Sequence, residues 1–126
     1  MRAVIVSVVI LVVMITGLII GETFLEGVAN GIDDSCNRIC DVAFNEEFNV
    51  AYDEYMNLKN YWMKKKNAIT AIIDHAYSDE IDKSLKELEV SIMSNDSMEA
   101  LLACARIKTT IKAVSQNEHF HLNNIL

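Results

Sequence analysis

Three cysteines and three histidines are the side chains of this sequence with the widest chemical repertoire. Cys36 and Cys40 stand four residues apart, one turn of a helix, and Cys104 lies far along the chain. The count is odd, so an intramolecular pairing leaves at least one thiol over. Three readings compete. The cysteines could be small buried apolar side chains, since free cysteine is among the residue types most often buried. One of the first two could bridge to Cys104 in an oxidising compartment. The pair Cys36 and Cys40 could supply half of a zinc or redox site, although no second pair at that spacing exists. A bond between Cys36 and Cys40 inside a regular helix would be strained.

The histidines say less. His119 and His121 flank Phe120 and would share a face for gripping a metal only if the tail were extended. Solvent-facing imidazoles on a mobile or docked tail are the competing reading. Asp74-His75 reads as a helix-end and corner device, with the imidazolium on the last carbonyls of a long helix. Neither Ser78 nor Ser84 turns it into a catalytic dyad, which needs a nucleophile and a pocket. The sequence contains no Gly-rich phosphate loop, nucleophile elbow or HExxH pattern. The expectation is a protein that is not an enzyme, with no catalytic, cofactor-binding or metal-binding residues and no cofactor.

The elements that position these residues begin with an apolar run. Ala3 to Ile20 carry no charge and no proline, and only Ser7, Thr16 and Gly17 interrupt a string of Val, Ile, Leu and Met. Eighteen residues of helix cover roughly 27 Å, close to a bilayer's hydrocarbon core of about 30 Å. Residues 1–21 therefore read as a signal-anchor transmembrane helix and residues 22–126 as the body. Arg2 and the amino terminus precede the run. Glu22, Glu26, Asp33 and Asp34 follow it, with no Lys or Arg before Arg38. The positive flank normally stays inside, which predicts a single-pass protein of the cell membrane, amino terminus cytoplasmic and carboxy-terminal domain outside. A cleaved signal peptide is the competing reading. It needs a shorter apolar region and small residues at a cleavage site, which Ile19, Ile20 and Gly21 match poorly.

Composition narrows the body. The net charge is −7, and setting Arg2 aside leaves ten basic against eighteen acidic side chains. Such a surface excludes nucleic acid as a partner, since phosphate binding needs a basic face. There is no proline, and Gly17, Gly21, Gly27 and Gly31 are the only glycines, so nothing later reads as a flexible linker. Helical spacing runs throughout. Phe24, Val28, Ile32, Cys36, Ile39 and Ala43 form one apolar stripe on a helix continuous with the membrane segment. Asn45 is the expected N-cap of a second helix, with Glu46 and Glu47 in its first turn. Phe48, Tyr52, Tyr55, Trp62, Ile69 and Ile73 define its buried side, and it could run unbroken to Ala76. Ser78 before Asp79 and Glu80 marks a third start, with Ile81, Leu85, Leu88 and Ile92 buried. Ser94-Asn95-Asp96-Ser97 is a turn. The fourth helix carries Leu101, Cys104, Ile107, Ile111 and Val114 and ends near Gln116 and Asn117. The expected fold is all-α: an N-terminal transmembrane helix followed by an extracytoplasmic antiparallel bundle of three to four helices.

Certain residues go beyond generic amphipathic helices. Trp62 with Lys64-Lys65-Lys66, Asp74-His75, then Ile81-Asp82 and Ser84-Leu85 at fixed offsets, and an ending Leu122-Asn123-Asn124-Ile125-Leu126, resemble the bacterial proteins grouped as domain of unknown function 4363. The resemblance covers the whole chain. Phe48 stands where the family pattern tends to place a tryptophan, and the three cysteines are not part of that pattern. The resemblance implies a short, single-anchor helical protein of Gram-positive, often spore-forming, bacteria, with no assigned biochemistry.

Two patches carry expectations about contact. Helix two returns toward the membrane, so Tyr61, Trp62, Lys64, Lys65 and Lys66 are placed near its surface, where aromatics and lysines suit the headgroups. A solvated basic turn on an acidic bundle is the alternative. The tail residues Phe120, Leu122, Ile125 and Leu126 are expected to dock on the bundle base, on lipid or on a partner. The partners this predicts are the lipid bilayer and a membrane or envelope protein, or a second copy of the chain. A structural or accessory interaction module is the leading function. An extracytoplasmic ligand- or metal-sensing bundle acting through a membrane partner is the alternative, because two residues before the span could not house a signalling domain.

Overall fold

The computed structural model describes the backbone of residues 1–125 and the side chains of residues 1–115. Four helices follow one another: α1 (Arg2–Phe44), α2 (Phe48–Thr70), α3 (His75–Met93) and α4 (Ser97–Ile125). There is no strand among the described residues.

Helix α1 is 43 residues long, about 65 Å, and passes from the apolar run into the body without a break. No proline interrupts its ladder, and Gly17, Gly21 and Gly27 leave open space where a Cβ would stand. Large apolar side chains from Val4 to Ile20 are all exposed. Two hydroxyls in this stretch bond their own helix. Ser7 Oγ donates to the Ala3 carbonyl and Thr16 Oγ1 to the Val12 carbonyl, each at 2.8 Å. That local bonding leaves no polar side-chain group of the stretch in need of water.

From Leu25 onward α1 buries one stripe: Leu25, Val28, Ile32, Cys36, Ile39 and Ala43. Phe24, placed on that stripe from the spacing, is partly buried against its edge. The helices form a closed bundle in which α1 packs on α2 and α4, and α3 packs on α2 and α4. The largest wholly buried side chains, among them Trp62, Tyr55, Leu58, Leu88 and Ile107, fill its centre. Tyr52 was expected inside but is 40% exposed, while Ala51 and Leu58 are buried in its stead. Leu101 is likewise only partly buried, with Ala100 and Ala103 taking the inner positions.

The turns correct the expected boundaries. Asn45 closes α1 instead of opening α2, and Glu46 takes a left-handed backbone with φ 59°. The Glu47 amide donates to the Val42 carbonyl at 2.9 Å and the Glu46 amide to the Ala43 carbonyl at 3.1 Å. This is the Schellman pairing, which satisfies the last carbonyls of a helix. The same pairing closes α3: Asn95 has φ 56°, Asp96 N donates to Ser91 O at 2.9 Å, and Asn95 N to Ile92 O at 3.1 Å. Helix α2 stops at Thr70, six residues before Ala76, and α3 starts at His75 instead of Ser78. Asp74 is its N-cap, its carboxylate accepting from the Ala76 amide at 3.1 Å. Ser78 is buried one turn inside. Asp96 caps α4, accepting from the Glu99 amide at 3.1 Å. Helix α4 continues to Ile125, well past the expected end near Gln116 and Asn117.

Candidate functional site

Two constellations combine chemically versatile residues: a thiol cluster between α1 and α4, and an aromatic and basic seam where α2 meets α1 and α3.

The α1–α4 seam brings all three cysteines together, each a free thiol. Cys36 and Cys104 are wholly buried, and Cys40, one turn along α1, is half-buried at the edge. Cys104 lies within hydrogen-bonding reach of both Cys36 and Cys40. The hydrogen bond from Cys104 stabilises a Cys40 thiolate against the opposing effect of burial, and the Lys108 ammonium adds to it, lowering the Cys40 pKa to about 7. Cys104 is pushed the other way. Its thiol bonds Cys36 and Cys40 and sits in an apolar interior, so its proton is held. The cluster therefore pairs one ionisable thiol at the surface with one neutral thiol behind it. Among the described residues no group of three or more His, Cys, Asp or Glu side chains is placed to hold a metal.

The second constellation centres on Asp82. Trp62 and Lys66 are four residues apart on α2 and so share a face. The Trp62 indole N–H donates to Asp82 Oδ1 at 2.7 Å, and Lys66 Nζ reaches Asp82 Oδ2 at 2.5 Å. Trp62 is wholly buried, so it offers no surface to a membrane or a partner. Lys65 Nζ lies 5.7 Å from the centre of the Phe24 ring and 5.9 Å from that of Tyr61, a cation between two aromatic faces. The Tyr61 ring crosses α1 so closely at Gly31 that a Cβ there would sit 2.7 Å from Tyr61 Oη. Of the patch assigned to membrane or partner contact, Tyr61, Trp62, Lys65 and Lys66 bind the bundle together. Lys64 stands exposed beside Met63.

Nearby, the Tyr55 hydroxyl donates to Glu89 Oε2 at 2.7 Å, joining α2 to α3. Burial and this bond raise the tyrosine pKa, and the same bond, with Lys86, lowers that of Glu89. Ion pairs tie the other seams: Arg38 to Glu54 at 3.3 Å, Arg106 to Glu87, and Lys108 to Asp33 at 3.7 Å, where Lys108 Nζ also donates to Asn37 Oδ1 at 2.6 Å. Asp74 and His75 form a helix start, so the imidazole sits at the amino-terminal end of α3 instead of on the last carbonyls of α2. The side chains of His119, His121, Phe120, Leu122 and Ile125, and all of Leu126, lie outside the described residues.

Sequence reasoning placed Trp62 inside but missed Asp82 as its partner, along with the Gly31–Tyr61 crossing. The four-residue spacing of Trp62 and Lys66 was the available signal for a shared acceptor. Its identity depends on the register of α3, which spacing along one helix does not carry.

The family model described as Domain of unknown function (DUF4363) matches residues 19–125, from the end of the apolar run through the whole bundle. No curated protein and no solved structure matches the chain.

Proposed function

The chain belongs to the DUF4363 family, and we propose that it is a single-span anchored helical module, its bundle outside the cell membrane, that binds another membrane or envelope protein or a second copy of itself. The observation that carries this reading is the exposed apolar half of α1, continuous with the helix that forms one wall of the bundle. Each large side chain left in water there would forfeit roughly 1.5–3 kcal/mol, and over Val4 to Ile20 the sum requires a cover. A bilayer supplies one of the right thickness. Arg2 on one flank and Glu22, Glu26, Asp33 and Asp34 on the other support the outward orientation.

The antiparallel order of the helices is supported by the pairings between them, which run in opposite senses along neighbouring helices. Tyr55 meets Glu89 and Trp62 meets Asp82, so rising numbers on α2 meet falling numbers on α3. In that arrangement the turns at 45–47 and 94–96 share the end farthest from the apolar stretch. Phe44, Met93 and Met98 are exposed there at 67–73%. Apolar side chains grouped at the tip favour a protein contact over a solvated cap.

A second reading draws on the unbroken helix. A ligand that shifted α1 against α4 would move the span itself, so the bundle could report to a membrane partner as a sensor. The discriminating experiment places a photo-crosslinking residue at Met98 or at Phe44 in the full chain expressed in its own membranes. The interaction reading expects a discrete crosslinked species, heterologous or homodimeric, that is lost when the crosslinker is moved to the exposed position Lys83. Identical uncrosslinked chain at all three positions would overturn it.

A further inference from the structure

The thiols of Cys40 and Cys104 face each other across two helices, and two observations fix this. The first is register. Lys108 reaches Asn37 at 2.6 Å and Asp33 at 3.7 Å. One turn back along α4 is Cys104, and one turn forward along α1 from Asp33 and Asn37 brings Cys36 and Cys40 opposite it. The second is contact: Cys104 is within hydrogen-bonding reach of both α1 thiols. Access then separates the three. Cys36 and Cys104 are 0% exposed, whereas Cys40 reaches the surface.

We propose that Cys40 and Cys104 form a thiol–disulfide exchange site, in which an external disulfide enters at Cys40 and is resolved by Cys104 to leave a covalent clasp between α1 and α4. Cys40 is the entry thiol because a reagent can touch it and because Lys108 stabilises its thiolate. Its sulfur attacks one sulfur of the external disulfide, forming a mixed disulfide and releasing one external thiolate. With Cys40 now a neutral mixed disulfide, its thiolate no longer holds the Cys104 proton. The Cys104 thiol gives that proton to the released thiolate, and its sulfur attacks Cys40, releasing the second external thiolate, which takes a proton from water. In sum two protein thiols are oxidised and one external disulfide is reduced to two thiols. Cys36 sits on the same helix as Cys40, where bridging four residues of a regular helix would strain the bond. Cys104 is the partner that needs no unwinding. The clasp would fix the helix bearing the apolar stretch to the last helix of the bundle. It depends on the thiol geometry alone and not on orientation or on the partner proposed above.

The test uses the purified full chain in detergent, treated with oxidised glutathione and analysed by intact mass and peptide mapping. The parent is expected to lose two hydrogens and to give a peptide in which Cys40 is joined to Cys104. Cys36→Ser should do the same. Cys104→Ser should stop at a stable glutathione adduct on Cys40, and Cys40→Ser should keep its remaining thiols free. The charges facing Cys40 are Lys108 and Asp41, besides the other two thiols. Cys104→Ala lacks the hydrogen bond that favours the thiolate, so the rate of adduct formation on its Cys40 should rise with pH to a midpoint above about 7. Lys108→Gln should move the parent's midpoint upward. Circular dichroism checks that each variant remains helical. A parent that retains three free thiols, a bond that includes Cys36, or a bond between two chains would overturn the proposal. Should Cys104→Ser fail to fold, the parent's peptide map decides alone.

Discussion

Replacing Asp82 with alanine removes one carboxylate that serves two donors on α2. The indole N–H of Trp62 is 2.7 Å from Asp82 Oδ1 and belongs to a residue with 0% exposure, so the N–H loses its acceptor at the wall of the core. An orphaned buried donor costs about 1–3 kcal/mol. The Lys66 pair is a smaller matter. Its side chains are 31% and 35% exposed, and solvent screening leaves such a pair about 0–1 kcal/mol. Together Asp82→Ala should cost about 1–4 kcal/mol, most of it from the indole. Asp82→Asn keeps an acceptor and should cost roughly 1 kcal/mol. Trp62→Phe removes the donor, so adding Asp82→Ala to it should cost less than the carboxylate costs alone. The coupling in this double-mutant cycle should be about 1–2 kcal/mol. Urea unfolding of the full chain in detergent, followed by circular dichroism, measures all four proteins, since Trp62 is the only tryptophan and its fluorescence is lost in two of them. A cost for Asp82→Ala below about 0.5 kcal/mol, with no coupling to Trp62, would refute the reasoning.

Further expectations concern single sites. Leu88 is wholly enclosed, and Leu88→Ala should cost about 2–5 kcal/mol in the same unfolding assay, with a change under about 1 kcal/mol meaning that the stripe does not face a core. Gly31→Ala should destabilise because its Cβ would lie 2.7 Å from Tyr61 Oη, and Tyr61→Phe should partly restore stability by removing that atom. Equal melting of Gly31→Ala and the parent would contradict the crossing. The Tyr55 pKa is raised on folding, so its contribution is complete below the ordinary value of 10.0 and is lost as pH climbs beyond it. Glu89 is shifted down, so its contribution fades as pH falls below 4.5. Tyr55→Phe should therefore flatten the alkaline arm of a stability–pH profile, and an unchanged slope above pH 10.0 would count against the bond.

Periodicity carried the architecture. Ile32, Cys36 and Ile39 on α1, Ile81, Leu85, Leu88 and Ile92 on α3, and Ile107, Ile111 and Val114 on α4 are buried where their spacing puts them. Boundaries were less legible because cap chemistry is degenerate. Asn45, Asp74 and Ser78 are all competent caps by residue type. The structure selects Asp74 because Ser78 is buried inside the bundle and Ile73 is packed beside the turn. The left-handed Glu46 is a further case. Glycine is the usual residue there, and a glutamate gives no warning that a helix ends two residues earlier. Cross-helix pairs depend on how helices sit against one another. The meeting of Cys104 with Cys36 and Cys40 was visible as one possibility among several, while Asp82 with Trp62 and Gly31 with Tyr61 were invisible until the registers were known.

The central claim is that α1 spans a membrane and holds the bundle outside. Its most direct test is a Ser94→Cys chain, labelled in intact cells with a thiol reagent that cannot cross membranes and compared with the parent to subtract Cys40. The account predicts full-length protein retained in the membrane fraction after a carbonate wash, and labelling at position 94 before permeabilisation equal to that after it. Labelling only after permeabilisation would place the bundle inside, and release of the full-length chain into the soluble fraction would show that the apolar half of α1 is not an anchor.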